Sequence, residues 1–165
     1  MLRQPAAANR IAFVSSLRSE LSAFRELHQV LKAEQDCLLR SDVDGLLELT
    51  EAKSKHIERL AALAAVRAAY LDSLKLPPDQ AGMAKWLSVH AGHERPGLSD
   101  AWNQLLSVAA EARAINESNG TLIATRLNHS HAALAALHSA ARSLSTYGPD
   151  GHTALPAGQR ELGRA

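Results

Sequence analysis

Residues 102–147 read WNQLLSVAAEARAINESNGTLIATRLNHSHAALAALHSAARSLSTY. No proline interrupts the chain between Gly97 and Pro149. Apolar residues recur at Leu105, Ala109, Ala112 and Ile115, then at Leu122, Ile123, Leu127, Leu134, Leu137, Ala141 and Leu144. Steps of three and four place them on one stripe of a single helix. At ~1.5 Å of rise per residue that helix is roughly 70 Å long. A helix of this length is stable in water only when partners cover its stripe. The remainder of the chain is therefore read as cover.

The centre of the stretch, Asn116-Glu117-Ser118-Asn119-Gly120, runs against helix propensity. A glycine in a helix interior costs about 1 kcal/mol relative to alanine, and asparagine competes for backbone hydrogen bonds. Two compatible readings follow. In one, Gly120 admits a neighbouring helix and Asn116 and Asn119 form a satisfied polar layer. In the other, the segment is a recognition or hinge point.

Working outward, the composition agrees with packed helices. The chain has 165 residues, 46% hydrophobic but only 4% aromatic, and alanine and leucine supply the apolar content. That balance suits helix against helix, not sheets. Formal net charge is +1 without a basic run, which gives little support to a nucleic-acid partner. No apolar run approaches the ~20 residues that span a bilayer. Arg10 interrupts the short apolar N-terminal stretch, making it a poor signal peptide. Cys37 is the one cysteine and reads as a half-buried structural thiol. The default expectation is a soluble cytoplasmic protein.

Three further helices are expected. The first, from about 10 to 40, has Asn9 as a possible cap and the seam Val14, Leu17, Leu21, Phe24, His28, Leu31, Gln35, Leu38, a heptad-like pattern. His28 and Gln35 are polar seam positions suited to fixing register. Ser41-Asp42 is a short break offering N-cap residues, so the second helix, about 43–75, folds back as an antiparallel hairpin. Lys53, His56 and Arg67 fall at the edge of its stripe, where stems cover apolar surface and heads stay wet. Pro77 and Pro78 end it. Asp79 can cap a short helix at 80–90, and a polar connector from Ala91 to Gly97 precedes the long helix, about 98–146, with Ser99 or Asp100 as its cap. The expected fold is an all-α, elongated antiparallel helical bundle or coiled coil of three long helices and one short one. It forms a single domain over 10–147, between a frayed start at 1–9 and a flexible Gly/Pro-rich tail at 148–165. The last helix exceeds the other two by about a third, so its end, from about His129, lacks full cover from its own chain and awaits a partner.

No enzyme signature is present. There is no phosphate-binding glycine loop and no nucleophile elbow. No glutamate precedes a histidine by three residues, as a four-helix di-metal site requires. His90, His93 and Glu94 lack further ligands for a metal. No catalytic residue, metal ligand or cofactor is assigned, and a binding role remains.

The pattern Asn116-x-x-Asn119-Gly120-x-Leu122-Ile123, then Leu127, Leu134 and Leu137, closing at Tyr147-Gly148-x-x-Gly151, resembles the FlgN family of flagellar export chaperones. The hairpin agrees, through Ser41-Asp42, Leu46, Leu49 and Lys53. The resemblance covers about Val14 to Gly151. It implies a cytoplasmic chaperone that holds hook–filament junction (hook-associated) proteins by their C-terminal helical segments, prevents their premature polymerisation and delivers them to the membrane-embedded type III export gate. On that reading the client lies against Ile123, Leu127, Leu134, Leu137, Ala141 and Leu144, with Asn116, Asn119 and Gly120 at the edge of the groove. Tyr147 is either a contact for the export gate or a helix-end packing residue. The competing readings are another helical type III secretion chaperone or adaptor, and a self-associating coiled-coil structural protein.

Overall fold

The computed structural model describes residues 7–146, with side chains over 9–142. Its elements are α1 (Ala7–Arg40), α2 (Val43–Ser73), α3 (Gln80–His90), a 3-10 turn (Gly92–Glu94) and α4 (Arg95–Thr146). No strand occurs among the described residues, and no helix is long and apolar enough to cross a membrane. The all-α expectation of three long helices and a short one is met. The chain divides into two compact units, Met1–Leu122 and Ile123–Ala165.

The helix ends follow local chemistry. Asp42 and Asp79 are the N-caps of α2 and α3, their side chains accepting from the Gly45 and Gly82 N–H groups. At the end of α2, Leu74 is the C-cap, and Lys75 takes a left-handed φ of 61°. Two expectations are corrected. α1 begins at Ala7, so Asn9 lies inside the helix and does not cap it. α4 begins at Arg95, not near Leu98, with Pro96 in its first turn. Proline is tolerated there because that N–H has no intrahelical partner.

In the first unit, α1 and α2 form the close backbone pair. Ion pairs join residue 20 to 67, 26 to 59 and 34 to 53. One number falls as the other rises, so the two helices are antiparallel. The first part of α4 runs with α1. Arg25 meets Gln104, His28 meets Glu111, and Gln35 meets Ser118. His28 and Gln35 therefore mark the register of α1 against α4, as their seam positions imply.

Two apolar clusters fill this unit. The larger holds Phe13, Leu17 and Leu21 of α1, Leu71 of α2, Met83, Trp86 and Leu87 of α3, and Leu98, Trp102 and Leu105 of α4. Phe13 stacks on Tyr70 at 4.0 Å and meets Trp86 edge-on at 4.7 Å, the latter a geometry in which aromatic pairs add to simple burial. Burial raises the pKa of the Tyr70 hydroxyl, with Trp86 and Arg10 opposing it in part. α3 is too short to persist alone; it is held because its apolar side closes this end of the bundle. The smaller cluster contains Ala23, Leu27, Leu31, Leu60 and Ala112.

Close approach does occur at a glycine, but at Gly82. A Cβ there would be driven into the Pro77 carbonyl oxygen, which is rigid backbone. Gly82→Ala should therefore push α3 off the loop and cost about 2 kcal/mol, the usual scale of overpacking. Urea unfolding would show it as a lowered midpoint with an unchanged slope; an unaltered midpoint would mean the loop yields freely.

Candidate functional site

The long helix α4 carries two kinds of residue: those tied into the bundle and those that face outward. The division falls near Leu122.

Within the first unit the ties are polar as well as apolar. Asn119 is 1% exposed. Its Nδ2 donates to the Leu31 carbonyl at 2.9 Å and to Glu34 Oε2 at 2.8 Å. Glu34, itself buried, accepts from Lys53 Nζ at 3.1 Å through both oxygens. This layer joins α1, α2 and α4. The amide orientation is dictated by its partners, because the reverse would face the Asn119 oxygen toward two acceptors. Oδ1 is left buried without a hydrogen bond. A second layer lies two heptads away. The Arg67 guanidinium binds both oxygens of buried Glu20, reaches the Pro78 carbonyl and lies 5.3 Å from the centroid of Trp102. A buried carboxylate requires this kind of pairing.

These layers correct the reading of Lys53 and Arg67 as edge residues with wet heads. Their charged ends are the partners of buried glutamates. A sequence signal for this exists at a spacing of seven. Phe13, Glu20, Leu27 and Glu34 repeat along α1, and Lys53, Leu60, Arg67 and Leu74 repeat along α2. Reversed against each other, they pair Glu34 with Lys53 and Glu20 with Arg67. Leu27 then shares one cluster with Leu60, and Phe13 the other with Leu74.

The Asn-Gly centre splits accordingly. Asn119 belongs to a buried polar layer, its Nδ2 paired and its Oδ1 not, and is withdrawn from the exposed surface. Asn116 is exposed and lines an open groove of about 250 Å³ with Phe24, Leu27, Leu31, Ile57, Ala109 and Ala112. Gly120 is exposed, and among the described residues nothing stands within 4 Å of where its Cβ would be. None of the described helices of this chain packs against it, so the expected close approach within the bundle does not occur there. Gly120→Ala should then recover most of the helix-propensity cost, raising stability by about 1 kcal/mol. A higher denaturant midpoint would show this; a lower one would mean the centre of α4 bends in use.

Beyond Leu122 the character of α4 changes. In the second unit Ile123 is 39% exposed, Leu127 and Leu134 55% each, and Leu137 67%. Ala141 is also exposed. The Leu144 side chain and Tyr147 lie outside the described residues. Large aliphatic residues at helical spacing are thus left open to solvent. Alanines at 124, 132, 133, 135 and 136 supply the propensity that keeps such a segment helical without a core. No carboxylate occurs between Glu117 and Asp150, whereas Arg126, Arg142, His129, His131 and His138 do. Among the described residues no group of three His, Cys, Asp or Glu is placed to hold a metal ion. The arrangement offers apolar area and positive potential, the means of recognising a helix.

Comparison with known proteins agrees in length and position. The family model described as FlgN protein matches residues 9–154. The chain is similar to the Flagella synthesis protein FlgN of Yersinia enterocolitica, 30% identical over 141 residues, which is 84% of this chain and 86% of that protein. The protein of the same name from Yersinia enterocolitica serotype O:8 / biotype 1B (strain NCTC 13174 / 8081) aligns with the same 30% identity and the same coverage. No solved structure matches.

Proposed function

Because this chain belongs to the FlgN family, we propose that it is a cytoplasmic export chaperone of the flagellum, with hook–filament junction proteins as its clients. The observation that carries the reading is the exposed aliphatic stripe of Ile123, Leu127, Leu134 and Leu137. An apolar face left open on a helix is the usual receptor for an amphipathic segment. The client's C-terminal segment folds against this stripe, extended by Ala141 and Leu144, and is thereby kept from polymerising. Coupled folding spends part of the contact energy on ordering, several kcal/mol in typical cases. That keeps the complex reversible, as delivery to the membrane-embedded export gate demands. Tyr147, three residues after Leu144 in the sequence, is the candidate contact with the gate. Asn119 serves by position, anchoring α4 to α1 and α2.

The test is calorimetry of the full chain, and of a chain ending after Leu127, against C-terminal segments of the junction proteins from the same organism. One-to-one binding at about 1 μM or tighter, removed by the truncation, is expected. A folded full-length protein that binds none of them, or a truncated chain that binds equally well, overturns the proposal. The truncation leaves the first unit, Met1–Leu122, whole.

A further inference from the structure

The turn between α1 and α2 carries an apolar face that neither core cluster uses. Val43 is 74% exposed and Leu47 is 70% exposed on the first two turns of α2, and Leu39 at the end of α1 is 64% exposed. Residues four apart share a helix face, so Val43 and Leu47 lie together. Leu46 and Leu49 of the same turns are partly buried, and so the exposed pair is a second face, distinct from the core stripe. Three large aliphatic side chains exposed within nine residues exceed the scattered singles normal on a surface.

Their surroundings are mainly acidic. From residue 36 to 51 the carboxylates are Asp36, Asp42, Asp44, Glu48 and Glu51, all exposed, against the single guanidinium of Arg40. The whole chain has a net charge of +1, so the turn departs from its background. Asp42 is occupied as the cap of α2; Asp44, Glu48 and Glu51 flank the apolar pair. Such a field repels anionic membranes and nucleic acid and steers cationic partners.

We propose that Val43 and Leu47, flanked by Asp44, Glu48 and Glu51, form a docking face for a basic amphipathic helix of another protein. This face lies in the first unit and does not depend on the client-binding reading. An apolar stripe on the partner covers the two side chains, and lysine or arginine on its margins meets the carboxylates.

Two synthetic helical peptides of about 20 residues test it. Both carry leucines at i, i+3, i+4 and i+7. One has lysine and arginine at the flanking positions and the other has glutamate there. Anisotropy with the full-length protein should show binding of the basic peptide that depends on Val43 and Leu47, whereas any binding of the acidic peptide, which suits the positive stripe of α4, does not depend on them. Raising salt from about 50 to about 300 mM should weaken binding of the basic peptide several-fold. The double variant Val43→Ser, Leu47→Ser should weaken it at least tenfold with an unchanged thermal midpoint. Ile11→Ser, which alters an equally exposed apolar residue elsewhere on α1, should leave it unaltered. The proposal is overturned if the basic peptide does not bind, if the double variant binds it normally, or if the double variant weakens both peptides alike. It is also overturned if sedimentation reveals a dimer that the double variant abolishes, since the occupant is then a second copy.

Discussion

Arg67→Ala should lower the stability of the protein by about 3–5 kcal/mol, the cost of leaving a buried carboxylate without its cation. Glu20 is 1% exposed, and Arg67 is the cation that reaches it. The substitution also removes the bond to the Pro78 carbonyl and the contact with Trp102, so it loosens α1, the α2–α3 loop and α4 together. At about 2–4 °C per kcal/mol for a domain of this size, the thermal midpoint should fall by roughly 10 °C. Arg67→Lys keeps the charge and loses the planar fork, and should fall between the two. Replacing both partners, Glu20→Leu with Arg67→Leu, should be less damaging than Arg67→Ala, because no charge is then stranded. A loss below about 1 kcal/mol for Arg67→Ala would place the pair among ordinary surface ion pairs and remove this layer from the account of the bundle.

The two layers also show what could be read in advance and what could not. Helical periodicity alone located all four helices, since each has its own apolar stripe and clear punctuation at Asp42, the Pro77-Pro78 pair and Asp79. It also put His28 and Gln35 on a seam, where they meet Glu111 and Ser118. It misjudged Lys53 and Arg67, because a residue at the edge of a stripe is wet or buried according to what faces it. That depends on the pairing of two helices, a property of neither one. The repeat of seven through Phe13, Glu20, Leu27 and Glu34 held the information, but only when set against the reversed repeat of α2. Glycine is harder still. Gly120 and Gly82 look alike as letters in a helix. One faces open space and the other the backbone of Pro77, and the latter contact arises only once the loop has folded back over α3.

The exposed half of α4 was expected from length alone, since α4 has 52 residues against 34 in α1 and 31 in α2, although the exposure begins at Ile123 and not near His129. Leu134→Asp should accordingly abolish client binding and leave the fold alone. Leu134 is 55% exposed, so the folded protein does not depend on burying it, and surface changes of this kind stay within about 0.5 kcal/mol. On the proposed reading the same side chain lies under the client in the complex. Losing it removes about 1.5–3 kcal/mol of apolar burial, and the carboxylate introduced must also be desolvated against an apolar partner, at a further cost of several kcal/mol unless it is paired. Together these weaken binding by about 100-fold or more, which calorimetry reads directly. Leu134→Asn separates the two contributions, since it removes the apolar area without adding a charge; its loss should be the smaller. The positive surroundings sharpen the test. With Arg126, Arg142 and three histidines on this stretch and no acid before Asp150, an added aspartate meets no like charge on its own helix, and helicity decides whether a binding defect is local. Circular dichroism should report unchanged helicity in both variants. If Leu134→Asp unfolds the protein instead, the stripe is internal packing and the client must be sought on another face. If helicity and binding both survive, Leu134 is surface and no more, and the chaperone reading loses the residue at the centre of its site.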